Sequence, residues 1–186
     1  MAVNRLLEAE ELNRKRGSVI VDCRFSLADP GEGRRQYEQA HIPGALYLDL
    51  EQDLSGPVGE HGGRHPLPDP QVLAATLARC GIDRDTPVVA YDDSRLAFAS
   101  RLWWLLRSLG YREPRLLNGG FGAWLAHGGQ VESGVVAPEP VTVPQAGNYR
   151  GACAIEGVRR ARHEAVVLVD AREPRRYQGL EEPIDP

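Results

Sequence analysis

The sequence predicts an α/β fold, a central parallel sheet flanked by helices, with a truncated second copy of the same unit behind it. Three observations carry this. Short apolar runs that end in a charge alternate with amphipathic segments, as in parallel βαβ units. The first run, Val19-Ile20-Val21-Asp22-Cys23-Arg24, recurs as Val167-Leu168-Val169-Asp170-Ala171-Arg172. Between the copies lies a stretch punctuated by Pro138, Pro140 and Pro144 that reads as an extended linker. The length, 186 residues, is long for one compact unit and short for two.

The elements follow in order. Glu8 to Lys15 reads as a short polar helix, and Val19 to Asp22 as a buried parallel strand. Gly31 to Gly33 is a turn before a helix over Arg34 to Ala40, and Ala45 to Leu48 is a second strand. Leu50 to Pro70, rich in Gly, Pro, His and Asp, is loop. Pro70 opens a helix to Arg79, with Val72, Leu73 and Leu77 on one face and Gly81 closing it. Pro87 to Tyr91 is a strand. Ala97 to Leu109 is an amphipathic helix whose Phe98, Leu102, Leu105, Leu106 and Leu109 keep the helical period. Arg115 to Leu117 is a strand, Gly119-Gly120 a turn, and Phe121 to His127 a helix. After Gly128-Gly129 the helical pattern stops until a polar helix over Glu156 to Glu164 and a buried strand over Val166 to Asp170.

The repeat extends beyond the strand. Each copy follows a charged helix and is followed by an Arg-Arg pair beside Tyr: Arg34, Arg35 and Tyr37, then Arg175, Arg176 and Tyr177. The chain therefore divides into a complete domain over 1–130, a linker over 131–150 and the start of a second domain over 151–186, truncated. A first strand without partners leaves its ladder groups and apolar faces unsatisfied.

Composition narrows the function. The net charge is −4, so no sequence-wide attraction to nucleic acid or anionic membrane is expected. Nearly every cation is Arg, Lys15 being the sole Lys, and Arg is the better fork for small oxyanions. No apolar run approaches the roughly 18 residues needed to span a membrane. The segment from Met1 to Glu8 carries no apolar core of a secretory signal. Three widely spaced Cys make neither a disulfide framework nor a zinc site. The expectation is a cytoplasmic protein with no cofactor and no metal.

At this point the residues resemble a known family. Tyr37-Glu38-Gln39-Ala40-His41-Ile42-Pro43-Gly44-Ala45 resembles the first signature of rhodanese-type sulfurtransferases, and Leu117-Asn118-Gly119-Gly120-Phe121-Gly122-Ala123-Trp124 the stretch after the domain's last core strand. Asp22-Cys23-Arg24, the Val88 to Tyr91 strand and Trp103-Trp104 fall in the family's order. The resemblance covers about residues 5 to 128, with a truncated second copy from about 152 to 186. Two tandem copies are similar to the thiosulfate and 3-mercaptopyruvate sulfurtransferases.

The resemblance implies that a Cys thiolate takes sulfane sulfur from a small anionic donor as a persulfide and passes it to a thiophilic acceptor. The thiolate is the reactive species, so its site must favour the anion. The family places that Cys after a central strand, ringed by backbone N–H groups ahead of a helix. The matching place here follows Tyr91 and holds Asp92, beside Asp93, in the loop Asp92-Asp93-Ser94-Arg95-Leu96-Ala97. A carboxylate carries no transferable sulfur, and two carboxylates repel an anionic donor. No catalytic residue is therefore expected in this chain. The nucleophilic Cys is expected beyond Pro186, in a second domain against which the first would pack.

For the other candidates the residues favour structural roles. Cys23, Cys80 and Cys153 do not stand before a suitable loop and read as small core residues. His41 reads as a turn-shaping residue bonded to nearby backbone rather than as a general base. His61 and His65 lack a third metal ligand. Asp22 and Asp170 cap the following turn or pair with Arg24 and Arg172, Trp103 and Trp104 pack, and Arg95 is a solvated loop residue. Arg176 stays open. The resemblance implies that an Arg directly before an aromatic, shortly after Asp170-Ala171-Arg172, holds the donor's anionic group. The residues alone equally allow a surface pair with Glu173 or Glu181. Two function classes remain: the first part of a sulfurtransferase, or a non-catalytic rhodanese-like binding or regulatory module. A phosphatase on this fold would need the same loop Cys, so Asp92 argues against it.

Overall fold

The computed structural model of the chain describes residues 5–14, 17–112, 114–162 and 164–183. Lys15, Pro186, His163 and the start of the chain lie outside the described residues. The chain divides into two compact units, Met1–Tyr149 and Arg150–Pro186.

The first unit is built on a parallel sheet. Its strands are β1 (Leu6–Leu7), β2 (Val19–Asp22), β3 (Leu46–Tyr47), β4 (Val88–Tyr91) and β5 (Arg115–Leu117), in the order β1-β5-β4-β2-β3. Val19 pairs with Val88 and Asp22 with Tyr91, so β2 and β4 end level at the centre of the sheet. The helices are α1 (Ala9–Arg14), α2 (Glu32–Gln39), α3 (Pro70–Arg79), α4 (Ala99–Ser108) and α5 (Gly120–Ala126).

Alternation along β4 shows why both faces are covered. Val88 and Ala90 join Leu73 and Leu77 of α3 and Leu102, Leu105 and Leu106 of α4 in one buried cluster. Val89 and Tyr91 join Leu12 of α1 and Phe121 and Trp124 of α5 in another. All four β4 side chains are buried, which accounts for the unbroken apolar run in the sequence. Helix α3 begins at Pro70 as predicted, and the Asp69 carboxylate accepts from Gln71 N and Val72 N at its start.

One element of this unit was not predicted, and one begins earlier than predicted. The two-residue edge strand β1 is held by Leu116 N donating to Arg5 O and Asn118 N to Leu7 O. Helix α2 starts at Glu32, two residues before the predicted Arg34, because Arg35 N already reaches Gly31 O. The long loop after Leu50 is organised by Arg101 of α4. Its guanidinium donates to Leu54 O, His65 O and Pro66 O at 2.9, 2.9 and 2.7 Å.

Residues 133–149 carry no regular element, yet they lie along the first unit. His41 and Glu132 exchange backbone hydrogen bonds, Gly134 N donates to Glu38 O, Val136 N to the Tyr37 hydroxyl and Val141 N to Ala78 O. The Tyr149 hydroxyl donates to Pro68 O, and its ring stacks on Trp104.

The second unit contains α6 (Ile155–Ala161) and a short α7 (Pro174–Tyr177) that was not predicted. One expectation is corrected here: Val166 to Asp170 is not a buried strand. It has no regular structure, and Val167 and Val169 are 83% and 84% exposed. A parallel strand exists only through ladder partners, and among the described residues this stretch pairs with none.

Candidate functional site

In open α/β sheets ligands bind beyond the carboxyl ends of central strands. Here that place is the turn from β4 into α4, and its centre is Asp92, which is fully buried. The chain folds back around this one side chain. Oδ1 accepts from Ser94 N and Leu96 N, both at 2.8 Å. Oδ2 accepts from Phe98 N and Ala99 N, both at 2.9 Å. Four backbone donors thus converge on one carboxylate, two of them at the start of α4, where the helix end favours negative charge.

The wrapping strains the loop. Arg95 and Leu96 have φ of 58° and 67°, the left-handed region that costs an L residue about 1–2 kcal/mol each. On the other side the Gly119-Gly120 turn closes on the same residue. Phe121 N donates to Asp92 O at 2.9 Å. A Cβ on Gly120 would sit 2.0 Å from that oxygen, so only glycine fits. A cleft of about 400 Å³ remains outside, lined by Asp93, Arg95, Leu96, Asn118 and Gly119 as well as Asp92.

Beside the loop, Asp22 and Arg24 form a buried clasp. Arg24 N and Nε donate to Asp22 Oδ1, and Nε and Nη2 to Oδ2, at 2.6–3.1 Å. The Tyr91 hydroxyl donates to Asp22 Oδ2 at 2.7 Å and accepts from Ile42 N. Burial, and then the Asp22 charge, push that phenol far above its ordinary range. The guanidinium of Arg24 lies 4.3 Å from the Phe121 ring centroid and caps Ala40 O. Asp22 is thus a structural carboxylate.

His41 and His65 take structural places. His41 is fully buried, stacks on Tyr37 and holds Tyr37 O through Nδ1 at 2.7 Å. His65 lies edge-on to Phe25 and 3.4 Å from Glu51. No group of metal-ligating side chains occurs among the described residues.

The cysteines differ in setting. Burial, then the Asp22, Asp92 and Asp53 charges, push the Cys23 thiol well above its ordinary value. Burial pushes Cys80 to about 11. Both are held as thiols. Cys153 is exposed. Trp104 packs on Tyr149, and Trp103 lies under the Arg107 guanidinium at 5.3 Å.

The second unit repeats the clasp bond for bond. Arg172 N and Nε donate to Asp170 Oδ1, and Nε and Nη2 to Oδ2, at 2.8–3.1 Å. These bonds hold the Asp170 carboxyl down at about 2. Arg176 pairs with Glu182, an acid the sequence reading did not name. Its Nε and Nη2 donate to Glu182 Oε1 at 3.0 and 2.7 Å, and Glu181 is held by Arg175.

The resemblance implied a loop of backbone N–H groups at Asp92, and the residues paired Asp22 with Arg24, but the identity of the four amides that bind Asp92 and the Arg101 anchor were both missed. The succession of Asp92, a six-residue loop and a helix start was the available signal for the first. Nothing local marks the second, because its acceptors lie 35–47 residues away.

The rhodanese-like domain family matches residues 6–127. A probable 3-mercaptopyruvate sulfurtransferase of Pseudomonas aeruginosa is 42% identical over 194 residues, covering 100% of this chain and 68% of that protein. A putative thiosulfate sulfurtransferase of Mycobacterium tuberculosis is 42% identical over 168 residues, 89% of this chain and 59% of that protein. Among solved structures, the 3-mercaptopyruvate sulfurtransferase from Leishmania major superposes with a TM-score of 0.68 at 33% identity, covering 81% of this chain and 41% of that one. The SseA protein of Escherichia coli, described as a 3-mercaptopyruvate sulfotransferase, gives 0.69 at 26% identity over 87% of this chain and 64% of its own. The chain thus spans only part of each of these relatives.

Proposed function

Because the chain belongs to the rhodanese family, we propose that it is the N-terminal portion of a sulfurtransferase using thiosulfate or 3-mercaptopyruvate. In this reading a Cys thiolate in a second domain attacks the donor's outer sulfur. The bond from that sulfur to the rest of the donor breaks, and its electron pair leaves with sulfite, or with the enolate of pyruvate, which takes up a proton. The persulfide then yields its outer sulfur to a thiophilic acceptor. Residues 1–130 are the non-catalytic domain, 131–150 the linker and 151–186 the beginning of the catalytic one. Arg176 holds the donor's anionic group.

The observation that carries the reading is the Asp92 loop. Its convergent amides suit an anion at the head of α4, but the anion is a fixed carboxylate that has no sulfur to transfer. The names of the relatives support the substrate class, and their greater length supports a catalytic part outside this chain. The free thiols of Cys23, Cys80 and Cys153 suit a reducing, cytoplasmic location. No described helix is long and apolar enough to cross a membrane.

The test has two arms. The coding sequence downstream of Pro186 should carry a second His-Ile-Pro-Gly motif and a Cys loop; absence of both sinks the reading and favours a non-catalytic module, which the filled loop of the first unit also suits. The isolated 186-residue chain should form no thiocyanate from thiosulfate and cyanide. Turnover abolished by mutating one of its three Cys would overturn the assignment.

A further inference from the structure

Within the second unit two acidic residues follow the Arg175-Arg176 pair, and each closes on one guanidinium over six residues. Arg175 Nε meets Glu181 Oε1 at 2.5 Å, with side chains 64% and 50% exposed. Arg176 offers both Nε and Nη2 to Glu182 Oε1, and its side chain is only 15% exposed, against 36% for Glu182. The second pair is therefore the more desolvated, and its edge-on geometry is the one a guanidinium offers to a small oxyanion. The Arg176 fork already grips an oxyanion, and that oxyanion belongs to the chain itself. Nearby, Asp170 and Arg172 line an open cavity of about 980 Å³ together with Leu168, Pro174 and Tyr177.

We propose that Glu182 is an internal competitor for the donor: its carboxylate occupies the anion-binding edge of Arg176, and a donor anion binds by displacing it. This rests on the reading of Arg176 as the donor's anion-holding residue and adds the residue that sets how tightly the donor is held. A tethered carboxylate on a short loop acts at an effective concentration on the order of millimolar. Monoanions such as the mercaptopyruvate carboxylate therefore displace it only at higher concentration, whereas a dianion such as thiosulfate competes through its larger charge. Glu182 thus filters anions by charge at the expense of donor affinity.

The experiment titrates sodium thiosulfate into the 186-residue chain by calorimetry at fixed ionic strength. Four proteins are compared: the parent, Glu182→Gln, Glu181→Gln and Arg176→Ala, each checked for an unchanged circular dichroism spectrum. Glu182→Gln keeps the side chain's shape and removes its charge, so thiosulfate should bind roughly two- to fivefold tighter, the range of a partly exposed ion pair. Glu181→Gln should bind like the parent, and Arg176→Ala should lose binding. Equal affinity in the parent and Glu182→Gln, with binding lost in Arg176→Ala, overturns the competitor and leaves Arg176 standing. Equal tightening by Glu181→Gln reduces the effect to bulk charge and also overturns it. Undiminished binding in Arg176→Ala, or none in any of the four, overturns the reading of Arg176 and the competitor with it.

Discussion

At the scale of single residues, the three cysteines carry the same atoms and have different chemistry because of what surrounds them. Cys23 and Cys80 lose the solvent that would stabilise a thiolate, and nearby Asp charges add to the penalty. Under native conditions at pH 8, a thiol reagent should label Cys153 alone, with Cys23 and Cys80 reacting only in denaturant. Mass spectrometry of the labelled peptides reads this, and native labelling of Cys23 would contradict the packing around β2. Asp170 gives a second residue-scale expectation. Its carboxyl is lowered to about 2, first by the Arg172 side-chain bonds and then by the Arg172 amide. A depressed carboxyl favours the folded clasp above the ordinary Asp range of about 4, and that contribution disappears as pH falls through about 2. The carboxyl carbon of Asp170 should therefore titrate near 2 by NMR, and Arg172→Ala should return it to the ordinary range. Titration at the ordinary value in the parent would dissolve the clasp. Residue types with a local partner were legible in the sequence: Asp22 with Arg24 and Asp170 with Arg172, two positions apart. Arg176 was not, because Glu173, Glu181 and Glu182 all lie within reach of a long side chain, and only the backbone course selects one.

At the scale of the element, the turn after β4 shows how one side chain organises a loop of convergent amides. Asp92→Ala would leave four amides without an acceptor, while two left-handed residues keep their strain. Charge-assisted bonds of this kind contribute about 1.5–3 kcal/mol singly and do not add fully. The substitution should destabilise the first unit by about 3 kcal/mol, measured as a lower urea midpoint at unchanged slope. Asp92→Asn should recover part of this, since it keeps one acceptor oxygen and turns the other into a donor facing donors. A loss below about 1 kcal/mol for Asp92→Ala would mean that packing, not the carboxylate, shapes the loop. The same scale explains what sequence patterns reveal. Helices α3 and α4 were visible because period, Pro70 and closing glycines agree. The edge strand β1, two residues long, has no period to read. The mis-assigned strand over Val166 to Asp170 shares its pattern with β2. Apolar pattern marks the capacity to pair, and pairing itself depends on distant strands.

At the scale of the whole molecule, composition and repeat together indicated one full α/β unit and part of another, and the central parallel sheet bears out the α/β architecture of the first. The course of residues 133–149 was not legible. Their fastenings to Glu38 and Ala78 use backbone groups that any residue supplies, and those to Tyr37 and Pro68 join a tyrosine hydroxyl to distant backbone. These fastenings end at Tyr149, immediately before the exposed Arg150. Brief trypsin treatment should cut first at Arg150 or among the arginines beyond it and leave an intact fragment ending at Arg150, identified by mass. Early cleavage within the first unit, at Arg95 or Arg101, would contradict the division.

The duplicated clasp also bears on how such a chain is made. The hydroxyl bond from Tyr91 to Asp22 waits for a partner 69 residues downstream, and so does the β2–β4 ladder. The four bonds between Asp22 and Arg24, like those between Asp170 and Arg172, span two residues and close as soon as both have left the ribosome. The corner after β2, like its counterpart after Val169, is thus shaped early in synthesis, and the long-range β2–β4 pairing that limits the folding rate meets a strand end already set in its final turn.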